Sequence, residues 1–237
     1  MKNSIIKTHT TDNSTLEDFI TSLENSDIDI TVEKIPEASG GPISNLRLHI
    51  TDPHTGEKYQ RIIKHRPNSV HMVSSIRTNL VAETQWKVFT LLWGEVFHFG
   101  GPTLAPNFPA GWIDKWETVE QAALREMSEE MPVLKSEWIR SVTNISLWER
   151  NHSSIWWSSE QNYLVHIDAV LPDGMSIGEL QNHIWWVASE NERIVSQVRE
   201  LTPAVADEIC GIVDKLGLIL VGEKENPEVF AKRTRKV

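Results

Sequence analysis

The chain has 237 residues, a formal net charge of −10, a pI near 5.4 and a single cysteine, Cys210. One domain of ordinary size with an extension fits that length, and one thiol excludes an intramolecular disulfide. So acidic a chain is not built for broad nucleic-acid binding, which relies on Lys and Arg against phosphates. Handling of phosphates by such a protein would go through a metal ion.

The first residues, MKNSIIKTHTTDNS, lack the apolar core of a secretory leader, and no apolar run approaches membrane-spanning length. The expectation is a soluble cytoplasmic protein with no membrane partner. Leu16 to Leu23 reads as a short helical patch. From Ile28 the alternation in IDITVEK predicts a strand, and LRLHITD and KYQRIIKH predict two more, joined by a turn at Asp52-Pro53-His54-Thr55-Gly56. Together these make a small antiparallel sheet.

RPNSVHMVSSI runs into a further strand, and the apolar run from 88 to 97 predicts a buried one. His98-Phe99-Gly100-Gly101-Pro102 is a loop. The chain then reaches GWIDKWETVEQAALREMSEEMPV, residues 111 to 133. Thr118 and Gln121 have capping-box spacing, so a helix is expected from about 118. Val119, Ala123, Met127 and Met131 form its apolar stripe. Glu126, Glu129 and Glu130 fall together on a neighbouring face, and Pro132 stops the helix.

Three clustered carboxylates raise one another's pKa unless positive charge joins them. Arg125 alone cannot neutralise three. Oxygen ligands with room for water suit Mg²⁺ or Mn²⁺, usually beside substrate phosphates. Beyond this stretch, a strand is expected within Trp138 to Leu147, a loop over 148 to 160, a strand over Tyr163 to Leu171, a turn at Pro172-Asp173-Gly174 and a short strand over His183 to Val187. A last helix is expected from Thr202-Pro203, with Ala206, Ile209, Val213 and Leu216 facing inward and Cys210 buried upon it. The terminal KRTRKV reads as a solvated basic tail, and no histidine pair has zinc-ligand spacing.

Residues 111 to 133 resemble the Nudix box: Gly, five residues, Glu, seven residues, Arg-Glu, an apolar residue, any residue, Glu-Glu, any residue, Gly, apolar. Gly111, Glu117, Arg125, Glu126, Glu129 and Glu130 match, and Met127 and Val133 fill the apolar places; Pro132 stands where the family has Gly. Pro109-Ala110-Gly111 and a β-rich N-terminal part are similar to the ADP-ribose and ADP-sugar pyrophosphatase branch.

The resemblance implies an α/β/α sandwich with a mixed sheet plus a small N-terminal antiparallel β subdomain. It divides the chain into 1–66, a subdomain for homodimerisation, 67–222, the hydrolase domain, and 223–237, the tail. It further implies metal-dependent hydrolysis of a nucleoside diphosphate linked to another moiety, foremost ADP-ribose or an ADP-sugar, to AMP and a sugar phosphate. A dinucleotide or dinucleoside polyphosphate substrate, and a module that senses a nucleotide without cleaving it, are the alternatives.

Glu126, Glu129, Glu130 and the carbonyl of Ala110 would hold Mg²⁺ or Mn²⁺. Arg125 would orient the carboxylates with Glu117 as partner, and Gly111 would shape the loop. Glu160 would complete the site as loop carboxylate and catalytic base, with Glu149 as the alternative. His98 takes the place of an arginine that contacts substrate in that branch. Trp156 and Trp157 are candidates to stack on the base of a nucleotide-sugar substrate.

Overall fold

The computed structural model describes residues 16–26, 28–36, 43–78, 87–95, 106–145, 151–152, 160–187, 192–209 and 211–231. They fall into two compact units. One takes in residues 1–69, 112–118 and 150–162; the other takes in 70–111, 119–149 and 163–237.

In the first unit, β1 (Asp29–Ile35), β2 (Ser44–Thr51) and β3 (Lys58–His65) form the expected antiparallel sheet in that order. The Asp52 turn closes the β2–β3 hairpin. Asp52 accepts from the N–H groups of His54 and Thr55, and Gly56 takes a positive φ of 71°, which only glycine adopts without strain.

Alternate residues of a strand point to opposite faces. Leu46, Leu48 and Ile50 of β2 therefore all go inward, and α1 (Leu16–Glu24) covers them with Leu16, Phe19, Ile20 and Leu23. The spacing of those four residues is one helical stripe. The short N-terminal patch thus has a structural role as the lid of a miniature core. Phe19 stacks on His65, ring centroids 5.2 Å apart, and burial depresses the pKa of that histidine. On the other face Arg47 and His49 of β2 meet Glu33 of β1.

The larger sheet contains β4 (Ser69–Arg77), β5 (Phe89–Glu95), β6 (Ala110–Trp112), β7 (Ile139–Ile145), β8 (Asn151–His152), β9 (Gln161–Val170), β10 (Ile184–Val187) and β11 (Glu192–Glu200). Its order is β10-β11-β5-β4-β9-β7, with β6 on β4 and β8 on β9. β5, β7, β8, β10 and β11 pair antiparallel with their neighbours. Along β4 and β9 the partners rise together, from Ser69 with Asn162 to Ser75 with Asp168. Those two central strands are therefore parallel, and the sheet is mixed.

β11 was not expected from the sequence. Its inward Ser196, fully buried, interrupts the apolar alternation, and its hydroxyl donates to the carbonyl of Leu180 while accepting from the N–H of His183.

Helices lie on both faces in the second unit. The main chain of β6 bonds to β4 from Pro109 to Met72, and again at Ile113 to Asn68, so Gly111 lies opposite Val70 and Ala110 opposite His71. Gly111 abuts Glu126 of α2 (Val119–Glu130), which puts α2 on the face of Val70 and Met72. The other face of β4 carries His71, Val73, Ser75 and Arg77. Against it lies α4 (Ile212–Glu225), so close at Gly217 that a Cβ there would come within 2.8 Å of Val73 and 2.9 Å of Leu164. The α/β/α layering expected from the sequence is what the chain adopts.

The expected last helix differs in detail. It is broken into α3 (Val205–Glu208) and α4 by extended backbone at Ile209 and Gly211, and α5 (Pro227–Phe230) follows. Ala206 and Ile209 are buried as expected, but Leu216 is exposed. The break shifts the helical phase, so that Asp214, Gly217, Leu218 and Val221 face the sheet instead.

This face holds a polar network. His71 Nδ1 lies 2.8 Å from Asp214 Oδ1, and Ser75 Oγ lies 2.7 Å from His166 Nε2. Arg77 bonds both Asp168 and Glu225, and Lys224 approaches His166 at 3.4 Å and Glu225 at 3.5 Å. Burial, followed by the Lys224 charge, holds the pKa of His166 down. Cys210 and the KRTRKV tail lie outside the described residues. Among the described residues no helix is long and apolar enough to cross a membrane.

Candidate active site

α2 starts at Val119, one residue after the expected cap, and buries Val119, Ala122, Ala123 and Met127. The N–H of Met131 still reaches the carbonyl of Met127, after which Pro132 ends the helix. A proline lacks the N–H that would continue the ladder. Met131 is buried as well, so the whole predicted stripe faces the core.

The three carboxylates do not share one environment. Glu126 and Glu130, one turn apart, are 5% and 4% exposed, whereas the side chain of Glu129 is 41% exposed. Glu130 Oε2 accepts the N–H of Ala110 at 2.8 Å. Arg125 Nη1 donates to Glu126 Oε1 at 2.6 Å and stands 3.6 Å from Glu129.

A Cβ at position 111 would land on the Glu126 carboxylate. Here lies the physical content of the spacing between Gly111 and the helix. The backbone of β6 lies flat on the two inward glutamates, and only a residue without a side chain permits that approach. Ala110, Gly111, Arg125, Glu126, Glu129 and Glu130 all belong to the second unit. Among the described residues no three His, Cys, Asp or Glu side chains are gathered tightly enough to hold a metal ion as they stand.

Glu117 and Glu160 belong to the first unit. Glu117 closes a tight turn: its N–H bonds the carbonyl of Asp114, and its Oε2 accepts the Asp114 N–H at 3.0 Å. Trp116 within that turn has φ of 81° and is 85% exposed. Left-handed backbone at a bulky residue costs about 1–2 kcal/mol, and no sequence signal announced it.

Glu160 is 8% exposed, with Arg66 Nη1 3.8 Å from its Oε2. The residues after it are held from the same stretch: Asn68 Oδ1 accepts the Gln161 N–H, and Ser69 donates to Asn162 at 2.6 Å. His98, Glu149, Trp156 and Trp157 lie outside the described residues.

No family model matches the chain, and no curated protein does. Among solved structures it is similar to a proposed Nudix hydrolase from Listeria monocytogenes, with 16% identity and a TM-score of 0.39, over 69% of this chain and 97% of that one. A superposition that loose carries no argument about activity.

Proposed function

We propose that the chain is a Nudix-type hydrolase that cleaves the pyrophosphate bond of a nucleoside diphosphate linked to another moiety. ADP-ribose or an ADP-sugar is the foremost substrate class, giving AMP and a sugar phosphate. The observation that carries this reading is the pair of buried carboxylates, Glu126 and Glu130, one helical turn apart beneath the glycine backbone of β6.

Two buried like charges are costly unless matched by positive charge. The sole basic residue of α2 is Arg125, and it is divided between Glu126 and Glu129. An all-oxygen, charge-rich donor set of this kind fits a hard divalent cation. Glu126 and Glu130, with Glu129 and the Ala110 carbonyl, would hold Mg²⁺ or Mn²⁺. When bound, such an ion lowers the pKa of a coordinated water and neutralises charge on phosphoryl oxygens.

The remaining steps belong to the chain's own side chains. Arg125 orients the Glu126 carboxylate. Glu160, as base, takes a proton from the attacking water, whose oxygen forms the new bond to phosphorus as the bridging P–O bond breaks. The assignment of Glu160 rests on its position in the sequence just before β9, as in the resembling pyrophosphatases.

The test is a screen of ADP-ribose, ADP-sugars, dinucleotides and nucleoside triphosphates with Mg²⁺ and Mn²⁺, run on the wild type and on Glu130→Gln. The substitution keeps shape and removes charge. We expect turnover to fall by at least ~10²-fold with an unchanged circular dichroism spectrum. A Glu130→Gln protein as active as the wild type would overturn the reading.

A further inference from the structure

We infer that Arg66 is the positioning residue for the Glu160 carboxylate. The inference rests on the reading of Glu160 as catalytic base and adds to it a residue that no motif marks. Glu160 is almost wholly buried, with Arg66 Nη1 3.8 Å from Oε2. A carboxylate taken out of water requires compensating positive charge and hydrogen bonds.

The backbone of the segment is fixed independently. The Gln161 N–H is held by Asn68 and the Asn162 side chain by Ser69, so residues 66 to 69 form a clasp on 160 to 162. Asn68 and Ser69 set where the chain runs, and Arg66 brings a permanent positive charge to within 3.8 Å of the carboxylate. A guanidinium suits this task because its planar, permanently charged fork fixes direction as well as charge. The Arg66 side chain is itself 38% exposed.

The experiment compares wild type, Arg66→Ala, Arg66→Lys and Glu160→Gln, with ADP-ribose and Mg²⁺ for kinetics. A second readout, without substrate, is carbodiimide labelling of Glu160 followed by peptide mass spectrometry. Misplacing a base costs turnover more than binding. Arg66→Ala should therefore lose ~10-fold or more in kcat with KM within about twofold, and Glu160 should label severalfold faster. Arg66→Lys should recover most of both.

Unchanged Glu160 labelling in Arg66→Ala, or an Arg66→Lys protein as impaired as Arg66→Ala, overturns the inference. Wild-type turnover in Glu160→Gln instead removes the base assignment, and the labelling result still decides whether Arg66 holds that carboxylate.

Discussion

Two sets of three carboxylates, Asp168, Asp214 and Glu225 on the α4 side of the larger sheet and Glu126, Glu129 and Glu130 on the α2 side, are held in different ways. On the α4 side each of the three has a basic neighbour: Asp214 has His71, Asp168 has Arg77, and Glu225 has both Arg77 and Lys224. On the α2 side Glu126 and Glu129 draw on the same guanidinium, and Glu130 is met by the Ala110 N–H. Paired charges make a network that holds a helix in place. Under the proposed function, the carboxylates gathered on α2 are the ones that a hard divalent cation would use. The contrast separates structure from function more sharply than the number of acidic residues does.

The strongest way to break the contrast is at Gly111. Gly111→Ala would push a methyl group into the Glu126 carboxylate, and overpacking of this kind costs about 1–3 kcal/mol. Under the proposed function we expect turnover to fall by ~10²-fold or more, because displacing a functional carboxylate by an ångström has that effect. Steady-state kinetics and thermal melting check both parts.

On the α4 side, Arg77→Met should act on stability alone. It removes the cation between Asp168 and Glu225, whose side chains are 24% and 10% exposed. Breaking a buried pair costs about 3–5 kcal/mol, and the partial exposure of this one lowers the expectation to about 2 kcal/mol, measured by urea denaturation. A loss of turnover with unchanged stability would reverse the roles of the two faces.

The smallest effect is a slope in pH. Burial and Lys224 hold the pKa of His166 below its ordinary 6.5, so the unfolded chain binds the proton more readily than the folded one. Stability from this group is complete above about pH 6.5 and is lost as pH falls below it. Melting temperatures from pH 8 down to pH 5 should decline more steeply in the wild type than in His166→Asn. His65, shifted in the same direction, supplies part of the slope that remains.

The first face was legible in the sequence. Its apolar stripe, its terminating proline and the spacing from Gly111 are all local, and each has one structural meaning. The second face was not. Beside Val73, Leu218 and Val221, its inward residues are histidine, serine, arginine, aspartate and glycine, which a hydrophobic pattern reads as exposed; their partners lie at separations such as the 143 residues between His71 and Asp214. The phase error at Leu216 has the same origin, since Gly211 and Asp214 take the places where apolar residues would have marked the helix start. The exposure of Glu129 also escaped the sequence. Spacing placed all three glutamates on one side of α2, but only the approach of β6 decides which two of them are covered.

The parallel pairing of β4 with β9 joins residues 93 positions apart, and that separation governs how the chain can fold as it is made. A ribosome adds ~5–20 residues per second, so β4 waits roughly 5 to 20 s for β9 to be synthesised. α2 is made inside that interval, before β9. Contacts of such long range also slow refolding of the finished chain. Apolar strands that still lack a partner in the interval are open to the wrong one.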